Sequence, residues 1–208
     1  MDTWAMIEAE RRDLADLFAT LDDEQLATPS LCDSWTVKDI AAHLLMPLDT
    51  STATIVIEMA KCFGNFDKAN ARLAHRVSER PIADIVDGLR RGATNQFTPP
   101  TAGPEAPLTD LLVHSEDACR PLGITRTIPD EHLRAALDFL QTNKTRGFVG
   151  KGWLQGLSFE AADLDWSHGD GQPVRGPATS LLIAMCGRPA GVGDLEGDGV
   201  ATLRSRLG

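Results

Sequence analysis

The chain has 208 residues, 42% of them hydrophobic, and a net charge of −10. That length and apolar content suit one cored domain, or one domain with a small appendage. The charge supplies no basic stripe to cover phosphates, which argues against a nucleic-acid binder and against anionic membrane surfaces, though not against a small acidic substrate held by a few arginines.

Residues 2–20 carry helical periodicity through Trp4, Ile7, Leu14, Leu17 and Phe18. Residues 21–34, rich in Pro, Asp and Ser, read as a loop, with Ser34 able to cap a helix that begins WTVKDIAAHLL and that Pro47 ends or kinks. A second apolar run at 50–63 reads as helix up to Gly64, followed by helices in FDKANARLAHRV and PIADIVDGLRRGATN, with Pro81 in the first turn of the latter. TPPTAGPEAP at 98–107 is a proline-rich linker. A further helix begins near 107 and stops at Pro121 and Gly123, and another follows in IPDEHLRAALDFL. From 152 the pattern changes. GLSFEAADLDWSHGDGQPV carries a hairpin signal, PATSLLIAMCG an apolar helix ended by Gly187, and GDGVATLRSRL a last short helix. The expected organisation is a helical bundle over 1–150 and a small α+β region over 151–208. GDGQPVRG is a turn and not a dinucleotide motif, since it has neither the glycine spacing nor a βαβ context.

The four cysteines, at 32, 62, 119 and 186, form no CxxC pair and read as reduced thiols. Cys119 reads as a packed thiol, and none of the others has a nearby basic partner that would lower its pKa. The N-terminal stretch lacks the basic-then-apolar order of a signal peptide, and no apolar run is long enough to cross a bilayer, so the expected location is cytoplasmic. The composition includes no tyrosine, which removes that side chain as acid, base or ligand.

The chemistry that remains rests on five histidines. His43 sits among small and apolar residues, where a lone histidine is more often a hydrogen-bonded core residue than a ligand; Asp39, one turn earlier, can orient its ring. Asp110 and His114 are four apart and share a helix face. They can hold a divalent metal, or they can be an ordinary hydrogen-bonded pair. With a third ligand from a facing helix they would make a two-histidine, one-carboxylate set with open positions. His75 and His132 lie among charged residues and read as surface, while His168 lies on a turn from which it can reach a site. Arg120 and Arg188 are candidates for holding a carboxylate of a substrate or cofactor.

WTVKDIAAHL at 35–44 resembles the first motif of the mycothiol-dependent maleylpyruvate isomerase family, part of the DinB-like superfamily of metal-binding helical bundles. Asp110-Leu-Leu-Val-His114, followed by SEDACRPLG, is similar to the family's second motif. The stretch 162–188, with its Gly-Pro-Ala helix start and closing Gly-Arg, and LEGDGVATLRSRL extend the resemblance over nearly the whole chain.

The resemblance implies a mainly α fold: a DinB-like four-helix bundle with a small α+β C-terminal region. It implies metal ligands at His43, Asp110 and His114, with Asp110 standing where the isomerase pattern often has glutamate. It further implies a divalent metal, zinc foremost and nickel or iron as alternatives, together with mycothiol or a similar low-molecular-weight thiol and a small electrophile as partners. Asp117 and Arg120 are then the candidate catalytic residues, and Arg188 and His168 the candidate thiol-binding ones. The expected activity is thiol S-transfer or isomerisation by a monomer or homodimer. A metal hydrolase on the same bundle and a non-enzymatic ligand-binding protein are the alternatives. No nucleic-acid or membrane partner is expected.

Overall fold

Helix α1 (Thr3–Ala19) buries Met6, Ile7, Leu14, Ala15 and Phe18, the one-sided stripe that its period dictates. The computed structural model describes residues 2–98 and 102–207. Residues 99–101 of the proline-rich linker lie outside the described residues. By contact the chain divides into two units. The first takes residues 1–97 and 117–125, and the second takes 98–116 and 126–208.

In the first unit α1 is followed by α2 (Asp23–Ala27), α3 (Val37–Asp49), α4 (Thr52–Lys61), α5 (Phe66–Ser78) and α6 (Ile82–Arg91). α3 packs on α5 and α6, α1 on α6, and α4 on α5. Ile7, Leu14, Phe18, Ile40, Leu45, Ile85 and Leu89 are fully buried. Arg11 is buried with them because it has work at the end of α6. Its guanidinium donates to the carbonyls of Gly92 (3.3 Å), Ala93 (3.0 Å) and Asn95 (2.6 Å), acceptors that a helix C-terminus leaves open. Gly88 lets α6 approach α3: a Cβ there would stand 2.7 Å from Leu45 Cδ1.

Four expectations are corrected here. Residues 21–34 are not all loop, because Asp22 and Gln25 form a reciprocal capping box that starts α2. Thr36, not Ser34, caps α3: its hydroxyl accepts from the Asp39 N–H while Asp39 accepts from the Thr36 N–H, and Ser34 adopts φ 66° in the turn before. Pro47 does not end α3. It lies inside a helix that continues to Asp49, where it has no N–H to give to the carbonyl of His43. Pro81 likewise stands at the cap of α6 and not in its first turn.

Glu58 on α4 is covered by Lys61 and by Arg72 and Arg76 of α5, at 2.8, 3.3 and 2.6 Å. The Lys61 hydrogen bond, then that of Arg76, hold its carboxyl down at about 2 against the cost of burial.

α7 (Glu105–Cys119) begins in the second unit and ends in the first. A 3-10 turn, Arg120–Leu122, follows it and stops at Gly123, whose φ of 67° suits glycine. The second unit continues with α8 (Asp130–Leu140), strands β1 (Leu157–Ala161), β2 (Ser167–His168) and β3 (Gln172–Gly176), then α9 (Ala178–Met185), α10 (Pro189–Val192) and α11 (Val200–Arg206). The expected hairpin is present only in part. β1 pairs antiparallel with β2, but β3 lies on its other side and runs parallel to it, giving the order β2-β1-β3. Leu157, Phe159 and Ala161 alternate inward with Val174 and Gly176, and both strands pack on α9. The Asp163 carboxylate accepts from the Ala178 N–H at the start of α9, and Trp166 Nε1 donates to Asp138 of α8 at 2.7 Å.

Candidate metal centre

The capping box of α3 fixes where the first motif points. Asp39 is tied into it through Oδ2, which receives both the N–H and the hydroxyl of Thr36, and its Oδ1 stands 3.7 Å from His75 Nδ1. Burial pushes this carboxyl up, but the hydrogen bonds from Ser78 and Thr36 and the charge of His75 outweigh burial and leave it below the usual carboxylate range. Asp39 therefore serves the helix start and His75, which corrects the expectation that it orients His43. Among the residues bearing on His43 is Trp35, whose indole lies 5.1 Å from the imidazole, centroid to centroid, at 47°. His43 is buried on α3.

On α7 the i, i+4 spacing does what it predicts. Asp110 Oδ1 lies 3.5 Å from His114 Nε2, with the Asp110 side chain 33% exposed and that of His114 11%. His43 belongs to the first unit and Asp110 and His114 to the second, so each unit carries part of the expected ligand set. Two imidazoles and one carboxylate are borderline donors suited to zinc, nickel or iron.

Within the first unit Cys32 and Asp117 are paired. Cys32 Sγ donates to Asp117 Oδ2 at 3.1 Å, and the Leu31 N–H donates to the Asp117 carbonyl at 3.0 Å. Sequence reasoning set Cys32 aside for want of a basic neighbour nearby in the chain. Its partner is 85 positions away, and only its place just ahead of the first motif hinted at it.

The remaining candidates are distributed as follows. Asp117 is fully buried on α7, and Arg120 is half-buried at the start of the 3-10 turn. Arg188, half-buried, precedes α10 and donates to the Cys186 carbonyl at 2.8 Å. His168 is exposed on β2, paired in register with Phe159. His132, expected at the surface, is buried, because on α8 it shares a face with Ala136 and Phe139. Cys119 is buried as expected.

The family model for the mycothiol maleylpyruvate isomerase N-terminal domain matches residues 7–113, just over half of the chain. The chain belongs to this family. Two solved structures are similar to it: a mycothiol-dependent maleylpyruvate isomerase (TM-score 0.61) and a histidine-to-alanine mutant of that isomerase (TM-score 0.59). Each is 14% identical, with 95% of this chain and 92% of the other covered. No curated protein matches by sequence. At that identity the structures establish the fold, a DinB-like helical bundle with a small α+β C-terminal region. Membership in the mycothiol maleylpyruvate isomerase family, with candidate metal ligands in both units, makes this an enzyme-like, metal-associated protein. Among the described residues no helix is long and apolar enough to cross a membrane.

Proposed function

We propose that the protein is a metal-dependent enzyme that uses a low-molecular-weight thiol of the mycothiol type to attack a small electrophile, in S-transfer or isomerisation. The observation that carries this reading is the Asp110–His114 pair on α7, Oδ1 to Nε2 3.5 Å, in a chain of this family. A divalent metal held there supplies Lewis acidity to the sulfur of the thiol and favours its thiolate.

The rest falls to the chain. Three protein donors leave coordination open, the arrangement of catalytic and not of structural sites. One carboxylate and two neutral imidazoles compensate only half the charge of a dication, so the position attracts an anionic sulfur. Trp35 packs on the His43 ring and fixes its orientation. Asp110, the most exposed of the three, marks the side open to solvent. We assign Asp117 to supporting His114, three residues earlier on α7, and Arg120 and Arg188 to carboxylates of the thiol or the electrophile. His168 is given no part in this reading.

The test is metal content and turnover of protein purified without a metal-affinity tag. Wild type should hold about one divalent ion per chain and turn over electrophiles only with added mycothiol, and His114→Ala should lose both. A metal-free wild type that takes up no zinc sinks the reading. Turnover that proceeds without thiol replaces it with a metal hydrolase.

A further inference from the structure

Helix α4 is turned inside out. It buries a charge, Glu58, against the cations of Lys61, Arg72 and Arg76, and its outer face is apolar. Val56 is 60% exposed and Ile57 53%, Ala53 and Ala60 are exposed beside them, and Phe63, just past the helix, is 98% exposed. Residues 53, 56, 57 and 60 stand at i, i+3, i+4 and i+7, which makes one stripe of the kind a surface helix normally turns to the core. Among the described residues Phe97 is the other large hydrophobic side chain so exposed.

The stripe reads the same in both directions by size: small, large, large, small. A two-fold axis between Val56 and Ile57 sets Ala53 against Ala60 of a second copy and Val56 against its Ile57. The small pairs flank the bulky ones, so two antiparallel helices can close on each other. We propose that this face of α4 is the contact through which two copies of the chain form an isologous dimer. Area is one argument. Covering Val56, Ile57 and Phe63 removes roughly 400 Å² of apolar surface from each copy, close to the apolar share of the ~800 Å² that a standard interface takes per partner. Charge is another. The four stripe positions carry none, and Lys61 at the edge is already taken by Glu58, so no unpaired charge has to be desolvated at the contact.

This surface uses none of His43, Asp110 and His114, so it stands or falls apart from the catalytic reading. The experiment is sedimentation of the full chain. Wild type at about 100 μM should run at twice the chain mass. Val56→Glu and Ile57→Lys should each weaken association at least tenfold, with circular dichroism confirming the fold. An equal mixture of the two should dimerise again, because the axis brings the introduced carboxylate against the introduced ammonium while the other half of the contact stays native. Should either fail to fold, Ala53→Glu mixed with Ala60→Lys repeats the test. Salt should strengthen the dimer by screening the repulsion between two chains of net charge −10. A wild type that stays monomeric overturns the proposal, and retention of that monomer on phosphatidylcholine vesicles would give the face to lipid. A dimer that survives both variants, or that salt dissociates, overturns it too, as does a mixture that stays monomeric.

Discussion

The indole of Trp35 stands 5.1 Å from the imidazole of His43, tilted by 47°, and it does so because the capping box one residue on fixes how the chain enters α3. A ligand histidine on a helix still has a free χ2, and a large neighbouring ring restricts it. Trp35→Ala should weaken zinc affinity by about tenfold with the fold intact, and Trp35→Phe should restore most of the loss. Competition titration with a chelating dye measures this. Equal affinities for all three proteins would mean that the ring contact does not orient the histidine.

Arg11 links two helices through one guanidinium. Its three acceptors are the carbonyls just beyond α6, and the side chain is buried. Arg11→Ala leaves those carbonyls short of a charged donor and should cost about 3 kcal/mol in urea unfolding. Arg11→Lys should recover only part of it, since an ammonium lacks the planar fork.

Glu58 makes the join of α4 to α5 sensitive to acid. Its carboxyl sits at about 2 in the folded protein against an ordinary 4.5. A depressed carboxyl contributes stability that is complete above the ordinary value and is lost as pH falls through the folded one. The melting temperature of wild type should therefore exceed that of Glu58→Gln near neutral pH, and the gap should close between about 4.5 and about 2. A gap that stays constant over that range would assign the effect to packing and not to the charges of Lys61, Arg72 and Arg76.

Gly88 should not tolerate a methyl group. The nearest atoms, at 2.7 and 2.9 Å, are the methyl carbons of Leu45, which is itself buried and must shift within the core to make room. Gly88→Ala is expected to cost about 1–3 kcal/mol by overpacking, despite the better helix propensity of alanine. Thermal unfolding decides it, and Gly88→Ala combined with Leu45→Val should recover part of the loss.

Periodicity made the long helices legible. The faces of α1, α6 and α8 announce themselves in residues such as Leu14, Leu89 and Leu137, and the Asp110–His114 spacing gave its pairing directly. What escaped depended on partners distant in sequence or on competing local signals. Asp22 and Gln25 carried a capping signature inside a stretch dominated by proline and serine. Ser34 and Thr36 competed for one cap, and the acid three residues on, Asp39, decided for Thr36. His132 looked exposed because its sequence neighbours are charged, while its helical neighbours are not. β3 was assigned to a hairpin because turn residues do not say on which side of β1 the chain returns. Cys32 and its partner Asp117 are 85 positions apart, and only the place of Cys32 just ahead of the first motif hinted at the pair.

Asp110, His114 and Asp117 stand four and three residues apart on α7. That helix is therefore a ruler as well as a scaffold. One residue inserted after Val113 would turn everything beyond it by about 100° relative to Asp110, splitting the stripe while leaving every side chain chemically intact. Seven residues inserted there would return the stripe almost to phase but carry His114 about 10 Å along the axis. The chemistry of this centre is thus written in spacing as firmly as in residue type, and a variant with all its donors present can still be unable to gather them.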